Sequence, residues 1–297
     1  RILHNAPRKE TSNLDNIPLL DRSFYNMGSY QNNSIIGSRG CTRRCKFCCN
    51  WQIDGRSYRI RSSKNIVDEL IQLVESYPGR RLFFADDNFG LYRNETIDLL
   101  RGIGSAGIDI KWTAQMRVDS VDEALLEEMR RAGCERVYFG AESGSQRILD
   151  RIDKKITVSD TVRAIRLAKQ SEIRVKTGWI VGLPGTYKEN LQTIELIKHT
   201  TPDEVIVHHF VPFPGTEYWN NSRKYGIRIT DKSDLKSLYY NTIPKNLEFD
   251  YISKDQILIL LNTFHEELGK IGYSYPNSRA AGGRIIVTPL DLEGTGI

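Results

Sequence analysis

Four of the chain's five cysteines, Cys41, Cys45, Cys48 and Cys49, lie within nine residues, and the fifth, Cys134, stands alone. In Gly40-Cys41-Thr42-Arg43-Arg44-Cys45-Lys46-Phe47-Cys48, three and then two residues separate the first three thiols. Thiolates at that spacing can wrap one corner of a cubane iron–sulfur cluster. Three ligands leave one iron open to another molecule, as an open coordination position marks a catalytic zinc. A zinc site is the competing reading. Cys49 would then be its fourth ligand, although adjacent cysteines rarely both reach one tetrahedral ion. Cys49 otherwise reads as a packed or functional thiol, and Cys134, at the end of an amphipathic helix pattern, as a core thiol. Clustered cysteines in a disulfide-poor chain point to a reducing compartment, so a cytoplasmic location is expected.

Other polar residues with chemical use stand at the ends of apolar runs. Asp86-Asp87-Asn88 offers oxygens suited to an ammonium group, or caps the next helix. Gln115 can pair with hydroxyl or amino groups. Arg117, two residues on, needs an anion if buried, whether a ligand or a structural carboxylate. Glu142-Ser143 can accept from sugar hydroxyls, and Lys154 or its neighbour Lys155 can meet a carboxylate. In Gly178-Trp179-Ile180-Val181-Gly182 the glycines let a ligand approach the backbone. His208 and His209 alternate in direction, so at most one faces the same interior.

Elements that hold these residues are legible as an alternation. Runs rich in β-branched and aromatic residues occur at Ser34–Gly37, Arg81–Asp86, Asp109–Gln115, Arg136–Glu142, Arg174–Gly182 and Glu204–Pro212. Between them lie helix patterns. The first follows Ser62-Ser63 and ends at Pro78-Gly79. The second is capped by Asn94, the third by Asp119 or Ser120, and the last two start near Ser159 and Thr186. Strand starts roughly 30 residues apart suit βα units with right-handed crossovers. The expected fold is α/β: a partial (β/α)6 TIM-like barrel of parallel strands over 34–216, with the site on the loops after the strands. Residues 1–33 read as a lead-in or linker. Residues 217–297 read as an α-rich extension covering the barrel, with a helix over Ser253–Gly269 and loop over 273–285.

The 297 residues, 39% apolar and 27% charged, suffice for a real core. The longest aliphatic run, Ile257 to Leu261, is far short of the roughly 20 residues of a membrane span. Between Arg39 and Arg61 stand seven basic residues and one acid. That stretch alone nets +6 against +5 for the chain, leaving −1 for the rest. The excess does not describe a nucleic-acid surface. It sits by the cysteine loop, where it can offset thiolates, hold an anionic substrate or dock an acidic electron donor.

The cysteine loop, followed in order by these strand ends, resembles the radical S-adenosylmethionine (radical SAM) superfamily over roughly 34–220. The resemblance implies a [4Fe-4S] cluster on Cys41, Cys45 and Cys48, with SAM chelating the fourth iron. An electron from the cluster then cleaves a sulfonium C–S bond to give a 5′-deoxyadenosyl radical. It further implies SAM contacts from Phe47, from Asp86 and Asp87 to the amino group, and from Gln115 and Arg117. Glu142 and Ser143 lie on the ribose strand, Lys154 falls at the carboxylate, and Ile180 and Gly182 at adenine. Asp86-Asp87-Asn88-Phe89, Pro212-Phe213-Pro214-Gly215-Thr216 and the lead-in Leu14–Arg22 are similar to the cobalamin (B12)-binding branch. That branch carries a cobalamin domain first, which this sequence lacks. The chain begins at Arg1 rather than Met and reads as a fragment or trimmed chain, so cobalamin remains a candidate cofactor only. The implied activity functionalises an unactivated carbon of a small-molecule or peptide-derived substrate, by methyl transfer, rearrangement or SAM-fragment transfer. Its implied reductant is flavodoxin or ferredoxin. The alternatives are a tRNA- or protein-modifying methylthiotransferase-like enzyme, or a zinc-binding interaction module. The former usually adds a cysteine-bearing N-terminal domain and a basic C-terminal module, and this sequence shows neither.

Overall fold

Each apolar run becomes a parallel strand, and each intervening amphipathic segment a helix laid on the sheet. The computed structural model describes residues 10–26, 32–238, 243–274 and 284–287. In chain order the elements are β1 (Asn32–Ile35), β2 (Ser38–Arg39), α1 (Asn50–Asp54), β3 (Arg59–Ile60), α2 (Ser63–Ser76) and β4 (Arg81–Phe84). Then come α3 (Arg93–Ser105), β5 (Trp112–Met116), α4 (Glu123–Arg131), β6 (Cys134–Glu142), α5 (Gln146–Arg151) and α6 (Val158–Gln170). β7 (Arg174–Val181), α7 (Tyr187–Thr200), β8 (Glu204–His209) and α8 (Glu217–Asn220) complete the repeating part. β9 (Ile227–Ile229), β10 (Leu247–Phe249), α9 (Lys254–Lys270), β11 (Tyr273–Ser274) and β12 (Arg284–Val287) follow.

The main sheet runs β1-β4-β5-β6-β7-β8-β12-β11, with every pairing parallel. The first six strands in that order are the six expected from the sequence. The last two are a correction. Residues 273–285 do not read through as loop: β11 begins at Tyr273 and β12 at Arg284, and β12 pairs with the edge of β8. Residues 275–283, which carry the Pro, Asn and Gly of that expectation, lie outside the described residues. Two- and four-residue strands are too short for alternation to announce them.

Helix starts follow local chemistry. Ser62 caps α2 by accepting from Asn65 N, and Ile66, Leu70 and Leu73 face inward. Thr157, Thr186 and Ser253 each form a reciprocal capping box at the start of α6, α7 and α9. Two caps differ from expectation. α3 starts at Arg93 with Tyr92 in the cap position and no side-chain cap bond, so Asn94 lies inside the first turn. α4 is capped by Asp122, not by Asp119 or Ser120. The Asp119 carboxylate is already taken by Arg117, at 2.8 and 2.9 Å, and Val118–Ser120 forms a separate 3-10 turn. α5 has too few residues to show a helical period.

The core lies between the sheet and its helices. Phe84, Phe89 and Trp112 pack ring to ring, and the Trp112 indole donates to Ala132 O at 2.7 Å. Cys134 is fully buried there, as a core thiol should be. α9 packs on α7, β7 and β8. The described lead-in is tied down: the Asp15 carboxylate accepts from Ser62 N, and Arg22 meets Glu69 at 2.8 Å. No helix among the described residues is long and apolar enough to cross a membrane.

Candidate active site

The cysteine loop leaves the carboxyl end of the sheet through β2 and returns through α1. Gly40 starts it with φ of 84°, and a Cβ there would collide with Ser57 O. Cys41 N donates to Gly55 O, and Cys48 N to Cys45 O. The middle of the loop is held from across the barrel. Lys46 N donates to Ile152 O at 2.9 Å and Lys46 Nζ to Arg151 O at 2.8 Å. The loop is therefore fixed against the end of α5, a helix 105 residues further along the chain.

Cys41, Cys45 and Cys48 line a cavity of about 200 Å³ together with Phe47, Asp87, Gln115, Arg117, Glu142 and Lys154. With Asn88, which lines it too, ten of the residues named from the sequence thus meet in one space. Asp86, Ser143, Ile180 and Gly182 do not line it. Asp86 turns into the protein, where its carboxylate accepts from Gly37 N at 2.8 Å and Ser38 Oγ at 2.5 Å. It anchors the start of the cysteine loop. Ser143 is buried and accepts from Ser145 N. Gly182, with φ of 80°, donates its N–H to Asn190, and Ile180 packs against the core.

Charge in the cavity is organised around two cations. Lys154 Nζ lies 2.7 Å from Glu142 Oε1, both side chains nearly buried, and 6.0 Å from the centre of the Phe47 ring. Glu142 reaches that position from a left-handed backbone, φ 64°, where the β6–β7 register slips. A non-glycine residue in that region is strained, and such strain gathers at functional sites. Arg117 is buried by a bidentate pair with Asp119, and its second nitrogen donates to Lys154 O at 2.7 Å. Burial works against its charge, but the Asp119 bonds outweigh burial and hold it cationic. The structural carboxylate is therefore the partner Arg117 has, and Arg117 fixes the lysine backbone.

Burial pushes the Cys45 thiol up, while Lys154 and Arg117 pull it down. Burial likewise pushes the Cys48 thiol up to about 12. These thiols stay protonated until a metal displaces the proton. Among the described residues no three His, Cys, Asp or Glu side chains close on a single-ion site. A four-iron cube spreads its thiolates wider than one tetrahedral zinc does, so the loop suits the cluster better. Polar atoms around the cavity also await partners. Asp87 takes Asn50 Nδ2 on one oxygen at 2.7 Å, but its other oxygen, both amide atoms of Asn88 and Arg43 Nε are buried without one. Buried polar groups left open like this call for a partner, water or ligand, and their mix of acceptors and donors fits a zwitterionic amino acid.

Several lining residues were missed in the sequence: Asn50, Trp51, Met116, Tyr138 and Gly140. Tyr138 was findable, since alternation puts it on the same face as Gly140. Gln115, Tyr138, Lys176 and Glu204 form one row across β5–β8, and Gly140 pairs with Gly178 in the row above. That glycine pair has no side chains, and the row continues on β8 with Ile206. The Tyr138 hydroxyl enters it from below, where a Cβ on Gly178 would collide with it. Glu142 and Lys154 enter from above, 2.6 and 3.2 Å from where a Gly140 Cβ would stand. His208, beside Ile180 across β7–β8, faces the same interior and feels Glu142; burial lowers its pKa. His209 is buried on the other side of the strand.

The chain belongs to the radical SAM superfamily, whose family model matches residues 35–197. It is 30% identical over 267 residues to an uncharacterized methyltransferase, PH0819, of Pyrococcus horikoshii, covering 88% of this chain and 57% of that protein. It is 32% identical over 245 residues to the anaerobic magnesium-protoporphyrin IX monomethyl ester cyclase of Rubrivivax gelatinosus, covering 80% and 43%. The chain thus spans about half the length of the curated relatives it matches. Among solved structures, the radical SAM methyltransferase TsrM of Kitasatospora setae, with cobalamin and a [4Fe-4S] cluster bound, superposes with a TM-score of 0.68. That match is at 19% identity and covers 88% of this chain and 56% of TsrM. It establishes the shared fold.

Proposed function

We propose that this chain is the SAM-cleaving core of a radical enzyme that functionalises an unactivated carbon, in the methyltransferase-like manner of its named relatives. The convergence of Cys41, Cys45 and Cys48 with Asp87, Glu142 and Lys154 around one cavity carries this reading. When bound, a [4Fe-4S] cluster supplies the electron that cleaves SAM. The three thiols lose their protons to become its ligands, with Lys154 and Arg117 offsetting the added negative charge. Asp87 accepts from the SAM ammonium through its open oxygen. Lys154 faces the SAM carboxylate and Glu142 accepts from the ribose hydroxyls. Arg117 acts through Lys154 as a positioning residue, and Asp86 through Gly37 and Ser38. Trp51 and Phe47 exclude water from the same space.

The substrate class is a small molecule or peptide-derived compound, and the reductant a small electron carrier such as flavodoxin or ferredoxin. Cobalamin is the candidate second cofactor, since TsrM holds it. The test is anaerobic reconstitution with iron and sulfide, then incubation with SAM and dithionite, with and without added methylcobalamin. Mass analysis should find 5′-deoxyadenosine. Methylthioadenosine would instead assign transfer of the aminocarboxypropyl group. A fully reconstituted chain that leaves SAM intact overturns the reading.

A further inference from the structure

At the opposite end of the barrel from the cysteine loop, the strand starts surround a second cavity of about 250 Å³. Its walls carry five cationic side chains, from Arg81, Lys111, Arg130, Arg136 and Arg174, against two carboxylates, Glu135 and Glu172. The nearby acids do not balance that excess. Arg81 meets Glu135 at 3.1 Å, whereas Arg130 only approaches Glu172, at 3.9 Å. A buried carboxylate behind the cavity, Glu204, is shared among three cations: Arg136 at 2.8 Å, Arg174 at 3.3 Å and Lys176 at 3.9 Å. Lys111 has no carboxylate partner among the described residues. Thr113 also lines this cavity. Inside the barrel, burial lowers the pKa of Lys176, while Glu204 raises it and Arg136 works against that.

A concave surface with guanidinium forks and an ammonium around it is complementary to a compact, multiply charged oxyanion. We propose that the amino-terminal mouth of the barrel is a binding site for a polyphosphate-type anion, held by Arg81, Lys111, Arg136 and Arg174. This site is separate from the cysteine cavity, and the proposal does not depend on SAM chemistry. Such an anion would balance the mouth by bridging β4, β5, β6 and β7, and so would stiffen the barrel from below.

The probe is inorganic pyrophosphate, titrated calorimetrically into the full chain at physiological ionic strength, with thermal unfolding as a second readout. The expected result is binding near one per chain and a raised unfolding midpoint. Lys111→Glu should weaken binding about tenfold or more, because it replaces a cation by a carboxylate within the cavity wall. Lys111 is exposed and makes no ion pair among the described residues, so the variant should fold. Lys64→Gln, an exposed change on α2, should bind as the unaltered chain does. No binding by the unaltered chain overturns the proposal, as does equal binding by Lys111→Glu, which would place the anion elsewhere.

Discussion

Lys154 Nζ and Glu142 Oε1 stand 2.7 Å apart with both side chains nearly buried, twelve residues apart in sequence, beside the paired glycines Gly140 and Gly178 of the barrel interior. Each charge depends on the other, because removing one strands its partner in a low-dielectric wall. Lys154→Met should therefore destabilise the metal-free chain by about 3 kcal/mol, the usual cost of breaking a buried pair. Adding Glu142→Gln should return most of that loss. Urea unfolding of the single and double variants measures it, and equal stability of Lys154→Met and the unaltered chain would show that the pair is not coupled.

Cluster loading separates the cysteines. Alanine at Cys41, Cys45 or Cys48 should abolish cluster-bound iron and reductive SAM cleavage. Cys49→Ala should retain both, since three thiols complete the ligand set. Iron and sulfide content after anaerobic reconstitution, with visible absorbance, checks this. Retained SAM cleavage in any of the first three variants contradicts the assignment.

Asp86 makes stability depend on pH. Burial raises its carboxyl to about 6, despite bonds from Gly37 and Ser38. The folded chain thus holds this proton more tightly than the unfolded chain, whose aspartates titrate near 3.9. The resulting stabilisation is complete below about pH 4 and is lost as pH rises through about 6, amounting to on the order of 2–3 kcal/mol. Asp86→Asn should flatten that slope. Urea midpoints from pH 4 to pH 7 give the comparison, and an unchanged slope in the variant would assign the effect elsewhere.

Gly178 has a steric role. A Cβ there strikes the Tyr138 hydroxyl and comes within 3.0 Å of its ring, which the strand pairing holds in place. Gly178→Ala should cost about 1–3 kcal/mol, the usual range for overpacking. In a Tyr138→Ala background the same change should cost far less. A double-mutant cycle by thermal or urea unfolding reads the coupling, and additive effects would mean that the ring moves aside freely.

How much was legible follows from range. The spacing of Cys41, Cys45 and Cys48 is local chemistry, and six strand ends in order are a periodic pattern, so both could be read directly. Asp86 could not. Neighbouring carboxylates at a strand end look alike in sequence, and only the course of the folded chain beyond β4 decided that Asp86 would face Gly37 while Asp87 faced the cavity. Arg117 left two partners open, and the short step to Asp119 closed the choice. The third helix's cap moved to Asp122 for the same reason.

The sequence by itself determined the cluster loop, the parallel α/β order and the superfamily, because each rests on residues close in the chain or repeated along it. The tertiary structure alone decided which polar residues converge. It bent Glu142 into a left-handed position above two paired glycines. It also gathered Arg81, Lys111, Arg130, Arg136 and Arg174 from separate elements into one mouth. By local count the basic excess belonged only to the stretch from Arg39 to Arg61. Strand register creates a second centre of charge at the far end of the barrel, because charges far apart along a chain sum only once the fold brings them together.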